Sequence, residues 1–390
     1  MSGQTMRNDS GPGIPRTIFG PEHELFRDTV RRFLETEIVP YHEEWEDVRL
    51  VPREAWLKAG ETGLLGTSIA EAYGGSGAGF LFDTVVLEEL GRSGATGPGW
   101  DLHSYIVAPY IEKYGTEDQK RRWLPAMVTG EAIGAIAMTE PGTGSDLKAV
   151  RTTAVREGDD YVINGSKTFI TNGINADLVL LVAKTNHDLG AKGISLFLVD
   201  TKTDGFRNGR NLKKIGLKAQ DTAEMFFDNV RVPASDMLGD DNDGWRYLMD
   251  ELVQERLIVA VRAMATAEVA LEQTIAYTKD REAFGNKVFE FQNTRFTLAQ
   301  LASDIQVGRV FTDRCIALHA EAQCDVATAA MAKMWVTELE GKVLDACLQL
   351  HGGYGFMWEF PIARAWADSR VHRIYAGTNE IMKEIVARTL

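Results

Sequence analysis

The order of hydrophobic patterns most limits how this 390-residue chain can fold, because a β-rich segment lies between two helical ones. Residues 19–130 and 241–390 carry apolar positions at helical spacing, whereas residues 131–240 carry short β-rich runs separated by turn residues. Residues 1–18 are rich in Gly, Ser and Pro, and we expect a flexible N-terminus there. The order predicts a mainly α fold with an inserted β domain: an N-terminal α-helical domain, a small antiparallel β-barrel or sandwich, and a C-terminal four-helix bundle.

The middle segment contains the most specific local patterns. Asn164-Gly165 separates the β-rich runs 161–163 and 166–170, which is typical of a two-residue hairpin. Residues 178–184 and 194–199 are further apolar runs, and we expect each to form a strand. A β domain between helical domains creates a crevice, and crevices at domain junctions often bind cofactors.

Composition argues against several classes of function. The formal net charge is −14 and no long Lys/Arg run is present, so nucleic acid is not an expected partner. The longest apolar run, residues 178–183, is too short to span a bilayer. Cys315, Cys324 and Cys347 lack CxxC spacing, which indicates a reducing compartment and no zinc cluster. These features predict a cytoplasmic protein without a metal ion or a membrane span.

Two motifs in the middle segment offer groups that bind flat polar ligands. Residues 138–146 are rich in Gly, Thr and Ser, whose backbone N–H groups and hydroxyls can hydrogen-bond a heterocycle or a phosphate. Phe169 and Thr171 would place a ring beside a flat cofactor and a hydroxyl near one of its nitrogens. Taken alone, each motif also fits an ordinary turn or the end of a strand.

Two further motifs end predicted helices of the third segment. Arg281 can grip a pyrophosphate, or it can satisfy the carbonyls at a helix C-terminus. Gly352 and Gly353, after Gln349, allow close backbone approach to a ligand, or they simply end a helix.

Glu255 is the candidate general base. Leu252, Ile258 and Val259 lie three or four positions away, so the helix face around Glu255 is apolar. Burial there would raise the pKa of the carboxyl toward the range that suits a general base. The competing interpretation is a buried ion pair.

Together and in this order, these motifs resemble the acyl-CoA dehydrogenase family over residues 20–390. The pieces that carry the resemblance are residues 139–146, 169–173, 281–285, 349–353 and 375–380. The resemblance implies a helical domain, a small β domain and a helical bundle, with FAD between the β domain and the bundle. It also implies a homotetramer, a dimer of dimers in which a neighbouring subunit completes each flavin site, and an electron-transfer flavoprotein as electron acceptor.

The resemblance assigns roles position by position. Thr171 is expected near flavin N5, and Arg281 near the FAD pyrophosphate. The residues expected to contact FAD are Met138, Thr139, Gly144, Ser145, Phe169, Ile170, Thr171, Arg281, Phe284, Gln292, Gln349, Gly352, Gly353, Thr378 and Glu380. The residues expected to contact acyl-CoA are Ser145, Arg256, Ala376 and Gly377.

The position of the base departs from the commonest pattern of the family. Many members place the catalytic Glu between Tyr and Gly in a Tyr-Glu-Gly-Thr motif, where this chain has Ala376. A smaller subset supplies the Glu from the first bundle helix, and Gln254-Glu255-Arg256 resembles that subset. The resemblance therefore makes Glu255 the catalytic base.

The implied reaction is FAD-dependent α,β-dehydrogenation of a fatty acyl-CoA to a trans-2-enoyl-CoA. Glu255 would act as general base and flavin N5 as hydride acceptor, and similarity to the long-chain members favours a long acyl chain. The alternatives are a dehydrogenase for branched, short or terpenoid acyl chains, and an acyl-CoA oxidase-like enzyme. A non-catalytic acyl-CoA-binding protein is favoured by Ala376 and opposed by Glu255.

Overall fold

The computed structural model describes residues 13–390, so residues 1–12 of the predicted flexible N-terminus lie outside the described part. The helices of the first region are α1 (Pro21–Phe33), α2 (His42–Val48), α3 (Arg53–Glu61), α4 (Phe80–Ser93), α5 (Trp100–Leu102), α6 (Ala108–Tyr114) and α7 (Glu117–Val128). At the start of α7, Thr116 and Gln119 form a reciprocal capping box that satisfies two free backbone donors. The first region is helical, as its periodicity predicts.

The middle region forms one sheet, whose strands are β1 (Gly134–Ala137), β2 (Thr153–Glu157), β3 (Asp160–Thr171), β4 (Leu178–Lys184), β5 (Ile194–Asp200), β6 (Phe206–Asn211), β7 (Thr222–Pro233) and β8 (Met237–Leu238). Neighbouring strands follow the order β6-β7-β3-β2-β4-β5-β8, with β1 beside β4. The pairing is predominantly antiparallel, but β1 and β2 both run parallel to β4. A mixed sheet therefore replaces the purely antiparallel arrangement that the turn spacing suggests.

The hairpin predicted at Asn164-Gly165 is wrong. Both residues lie inside the continuous strand β3, which changes register against β7 between Ile163 and Gly165. A Cβ atom at Gly165 would lie 2.5 Å from Oγ1 of Thr152, so this glycine serves close strand approach instead of a turn. The tight turn lies earlier, where residues 158–159 connect β2 to β3.

Strand β4 is buried on both faces, which explains its unbroken apolar sequence. Leu178, Leu180 and Val182 pack in a cluster shared with helices of the first region. The alternate residues Val179 and Leu181 belong to a separate cluster within the β region. The sheet is thus fixed to the helical region through one face of its central strand.

The third region is helical and begins with the long helix α8. Its elements are α8 (Gly244–Asp280), the short hairpin strands β9 (Glu282–Ala283) and β10 (Asn286–Lys287), α9 (Gln292–Ala320), α10 (Val326–His351), α11 (Pro361–Ser369) and α12 (Asn379–Ala387). The sequence predicts long helices at the positions of α8, α9 and α10 and a shorter one at α12. Helix α11 is an addition, and it packs mainly against α10.

Helix α8 is central because it contributes to three apolar clusters. Ile258 and Val261 join the cluster of the first region, and Leu248 joins the cluster beside β4. Leu257 and Ala260 pack within the bundle. A helix that is buried on several sides holds its side chains in one place, so any polar residue on it needs a partner or a function.

Across residues 13–390, none of the helices combines the length and the apolar character that crossing a membrane requires.

Candidate active site

Glu255 lies in the middle of α8 and is only 6% exposed. Its Oε1 accepts a hydrogen bond of 3.0 Å from the hydroxyl of Tyr110 on α6. Burial raises the pKa of the Glu255 carboxyl to about 7, against the opposing effects of the Tyr110 hydrogen bond and the neighbouring Arg256 charge. A carboxyl with this pKa can both take and release a proton near neutral pH.

A second carboxylate, Glu251, lies one helical turn before Glu255. Its Oε1 accepts hydrogen bonds from Lys113 Nζ at 2.7 Å and from the Tyr114 hydroxyl at 2.9 Å. The Glu251 charge adds to the rise in the pKa of Glu255. Because Glu251 is already paired, the two carboxylates are in different environments, and Glu255 is the one without a counter-ion bond.

The backbone around Glu255 is held from two sides through Gln254. The side-chain amide of Gln254 donates to the Tyr105 carbonyl at 2.7 Å, and its Oε1 lies 3.0 Å from a ring nitrogen of His319 on α9. His319 in turn packs edge-on against Phe80, with ring centroids 4.5 Å apart. These contacts limit rotation of α8 at the position of the candidate base.

Arg256 is buried beside Glu255. Its Nε and Nη1 atoms are enclosed and have no hydrogen-bond partner within residues 13–390. Burial lowers the pKa of the guanidinium from its ordinary value, and burial together with the Arg256 charge lowers the pKa of Lys333 to about 8. A buried guanidinium with free donors is an arrangement suited to binding a polar ligand.

Lys333 on α10 connects this region to the segment that contains Ala376. Its Nζ donates to the Gly377 carbonyl at 2.8 Å and to Asn379 Oδ1 at 2.9 Å. Ala376 and Gly377 both have left-handed backbone conformations, with φ of 53° and 87°. Non-glycine residues rarely adopt this conformation, and such strain is common at functional sites. Lys333 therefore lies close both to Arg256 and to the segment that contains Ala376.

The loop after β1 and the end of β3 lie side by side. The Thr168 N–H donates to the Thr139 carbonyl at 2.9 Å, and Lys167 Nζ donates to the Met138 carbonyl at 3.0 Å. The loop continues to Gly144 and Ser145, which are both exposed. A Cβ at Gly144 would meet no atom within 4 Å, so the space above this loop is open. The first two predicted FAD-binding motifs are thus brought together.

The end of β3 presents an aromatic ring to the solvent. Phe169 is 68% exposed and has a left-handed backbone, with φ of 61°. Thr171 is half-buried at the last position of the strand. Ile170 differs from them, because its side chain is buried in the cluster inside the β region. Any contact from Ile170 to a ligand is therefore limited to its backbone.

Four of the predicted FAD residues of the third region line a separate groove of about 450 Å³. Arg281, Gln349, Gly352 and Gly353 all contribute to its walls. Phe284, next to the groove motif in sequence, is 96% exposed, and Gln292 is exposed at the start of α9.

This groove is far from Glu255. Arg281 follows Glu255 by 26 positions, which corresponds to about 39 Å along α8 at a rise of about 1.5 Å per residue. The groove and the surroundings of Glu255 are therefore separate parts of one subunit.

Thr378 and Glu380 lie at the start of α12. Thr378 is the N-cap of the helix, and its hydroxyl accepts from the Ile381 N–H at 3.3 Å. Glu380 is exposed in the first turn, where a backbone hydrogen bond and the Thr378 hydroxyl lower its pKa. Both residues follow the Ala376-Gly377 segment directly, so they extend that side of the site.

Sequence reasoning missed the partners of the site residues. Tyr110 is 145 positions from Glu255, and Lys113 is 138 positions from Glu251, so no local pattern connects them. Lys167 and Glu140 form an ion pair across 27 positions, and in the sequence they are only two charged residues of separate motifs. Across residues 13–390, no three His, Cys, Asp or Glu side chains are grouped as metal ligands would be.

Models of three protein-domain families match successive parts of the chain. Models of the acyl-CoA dehydrogenase N-terminal, middle and C-terminal domains match residues 20–131, 135–230 and 242–390. The mitochondrial long-chain specific acyl-CoA dehydrogenase of Rattus norvegicus is 53% identical over 377 residues, which cover 96% of this chain and 88% of that protein.

Solved structures give the same result. The crystal structure of an acyl-CoA dehydrogenase from Geobacillus kaustophilus is 49% identical, with a TM-score of 0.94 and coverage of 96% of this chain and 99% of that one. A glutaryl-CoA dehydrogenase from Mycobacterium smegmatis, solved in complex with FADH2, is 29% identical, with a TM-score of 0.89 and 95% coverage of both chains. Because all three domain models match in order and the relatives extend over nearly the full length, the chain belongs to the acyl-CoA dehydrogenase family.

Proposed function

We propose that this protein dehydrogenates a fatty acyl-CoA at its α and β carbons, with FAD as cofactor and Glu255 as the base. The observation that carries the proposal is the buried Glu255 carboxyl, which has a pKa of about 7 and no counter-ion bond. The Ala376 position, where many family members have their base, lies near the same Lys333 as Arg256. Ala376 has no ionisable side chain, so Glu255 on α8 would supply the base in its place.

The residues present fit a flavin dinucleotide. Gly142 and Gly144 leave open space above a loop with hydroxyls, and Phe169 offers an exposed ring at the edge of that loop. FAD bound there would supply the hydride acceptor, flavin N5. The residues that would hold FAD are Met138, Thr139, Gly144, Ser145, Phe169, Thr171, Thr378 and Glu380, with Ile170 restricted to backbone contact.

The chemistry of the chain itself is proton abstraction beside a polarised carbonyl. Glu255 takes the α-proton of the thioester, and its raised pKa makes the carboxylate a stronger base than an exposed Glu. The Ala376 N–H makes no backbone hydrogen bond within residues 13–390, so it is available to the thioester oxygen. Arg256 and Gly377 line the same region and would orient the substrate.

The proposed substrate is a long-chain acyl-CoA, on the basis of 53% identity to an enzyme described as long-chain specific. A dehydrogenase for shorter or branched chains is the second candidate, because family members named for short chains share 34% identity with this chain. An oxidase-like enzyme would differ in the electron acceptor and not in Glu255.

We also propose a homotetramer in which the Arg281–Gly353 groove of one subunit completes the flavin site of its neighbour. The distance of about 39 Å between this groove and Glu255 supports that division, because a single subunit would leave the groove unused. Arg281, Phe284, Gln292, Gln349, Gly352 and Gly353 would contact the adenosine and pyrophosphate parts. An electron-transfer flavoprotein remains the proposed acceptor, and a cytoplasmic location remains a prediction.

Anaerobic bleaching of the bound flavin by palmitoyl-CoA tests the proposal. We expect bleaching by the parent protein and none on the same time scale by Glu255→Gln. The matched control is Glu251→Gln, which changes the neighbouring carboxylate and should still bleach. A Glu255→Gln protein that bleaches as fast as the parent would disprove the assignment of the base. Parallel runs with butyryl-CoA and isovaleryl-CoA test the preference for chain length and branching. A further run in air tests whether oxygen accepts the electrons.

A further inference from the structure

We propose that Tyr110 is a positioning residue for the reaction. Its hydroxyl donates a hydrogen bond to Oε1 of Glu255, so Oε2 is the oxygen that takes the substrate α-proton. This inference rests on the proposed role of Glu255 as the base. It concerns a residue of the first helical region that none of the sequence motifs contains.

Tyr110 is held rigidly. Its side chain has no exposed surface, and it packs in the cluster that joins α6, α7 and β4. Val107, which directly precedes α6, and Ile111, on α6, are also completely buried. A phenol fixed by close packing has few alternative rotamers, so its hydroxyl stays at one point in the interior.

While Glu255 is ionised, the hydrogen bond can run in only one direction, because a carboxylate has no proton to donate. Burial and the nearby carboxylates raise the pKa of Tyr110 well above its ordinary value, so the phenol keeps its proton. It therefore donates to Oε1 of Glu255, at a distance of 3.0 Å. A donor to an ionised carboxylate stabilises the charged form, which opposes the effect of burial on Glu255.

The second oxygen of Glu255 is free. Oε2 makes no hydrogen bond to any residue from 13 to 390, and it is not one of the enclosed polar atoms that lack partners. A lone pair on Oε2 is therefore accessible, whereas Oε1 is already engaged. The proton that breaks from the substrate α-carbon then forms its new bond to Oε2, and its electron pair stays on the substrate.

The other charged groups around Glu255 do not substitute for Tyr110. Arg256 and Glu251 lie on the same helix as Glu255 and affect its pKa through charge alone. The Arg256 charge lowers this pKa and the Glu251 charge raises it. Lys113 and Tyr114, from α6, are bonded to Glu251. Tyr110 is thus the one described residue that touches the candidate base with a hydrogen bond.

The test is the Tyr110→Phe variant, which removes one oxygen atom and keeps the packing of the ring. Without the donor the charged form of Glu255 is less favourable, so the midpoint of the acidic limb of the flavin-reduction profile should rise by about one pH unit or more. The plateau rate at high pH should also fall by about 10-fold, because the carboxylate is no longer oriented. Tyr161→Phe is the matched control: it removes the hydroxyl of a buried tyrosine in the cluster inside the β region and should move neither quantity.

A readout independent of activity separates this inference from the proposed function. The infrared band of the protonated Glu255 carboxyl, identified by its loss in Glu255→Gln, should titrate at higher pH in Tyr110→Phe than in the parent. An unchanged midpoint would overturn the role of Tyr110, even if Glu255→Gln is inactive. If Glu255→Gln remains active while the band shifts, Tyr110 tunes Glu255 but the proposed base is wrong, and the positioning role falls with it.

Discussion

Lys167 on β3 and Glu140 on the loop after β1 form an ion pair of 2.9 Å in which both side chains are almost completely buried. Glu140 also accepts hydrogen bonds from the Arg151 N–H and from the N–H and hydroxyl of Thr152. Lys167 donates in addition to the Met138 carbonyl. The pair therefore ties the Met138–Ser145 loop to the strand that carries Phe169, and it fixes the open side of the proposed flavin site.

Replacing Lys167 with Met should destabilise the protein and weaken flavin binding together. The loss leaves the Glu140 carboxylate buried without its counter-ion, which costs about 3–5 kcal/mol in comparable cases. Chemical denaturation followed by tryptophan fluorescence measures the first effect, and the flavin-to-protein ratio after gel filtration measures the second. The double variant Lys167→Met with Glu140→Gln should recover part of the stability, and a single variant as stable as the parent would contradict the role of the pair.

The rate of flavin reduction and the free energy of unfolding should change in opposite directions with pH. Glu255 must be ionised to act as a base, so the rate should rise as pH increases through about 7. In the unfolded chain the same carboxyl ionises near its ordinary value of 4.5, so between these values the folded state binds more protons.

The Glu255 contribution to stability is therefore present at low pH and is lost as pH rises toward 7. Its size is on the order of 3 kcal/mol, because each unit of pKa difference is worth about 1.4 kcal/mol. Denaturation curves of the parent and of Glu255→Gln at pH 5 and pH 8 measure it. The variant should gain stability relative to the parent at pH 8. If the stability difference between parent and variant is the same at pH 5 and pH 8, burial does not raise the pKa of Glu255.

A glutamate placed at position 376 should partly rescue Glu255→Gln. Ala376 stands where many family members have their base, and its segment is held by the hydrogen bond from Lys333 to Gly377. The double variant Glu255→Gln with Ala376→Glu should reduce its flavin about 10-fold or more faster than Glu255→Gln alone, because a general base contributes about 100-fold or more. Ala376→Gln in the same background is the control, and equal rates for the two double variants would show that the two positions do not share one substrate.

Arg281→Ala should weaken FAD binding by about 10- to 100-fold, because a charge-assisted hydrogen bond to phosphate contributes about that factor to affinity. The effect should depend on assembly, because the groove is proposed to serve the neighbouring subunit. Flavin retention and sedimentation velocity, measured over a range of protein concentrations, test both points. Arg295→Ala removes another exposed cation, on α9, and should retain the cofactor. Equal flavin retention in the two variants would contradict the proposed contact.

Local patterns of apolar residues were enough to predict the order of the three regions, the long helices α8, α9 and α10, and the apolar face on which Glu255 lies. These features depend on periodicity within a short window, because burial on one side of a helix or strand repeats at a regular spacing. The similarity of ordered motifs likewise identified the family and singled out Glu255 over Ala376.

The contacts between distant side chains depend on tertiary packing. Asn164-Gly165 carries the local pattern of a hairpin, but pairing with β7 and the close approach of Thr152 keep β3 continuous. Tyr110 and Glu255 are 145 positions apart, and no local preference couples them. Partner choice in a packed interior is set by the relative placement of whole elements, and a window of neighbouring residues carries no information about that placement.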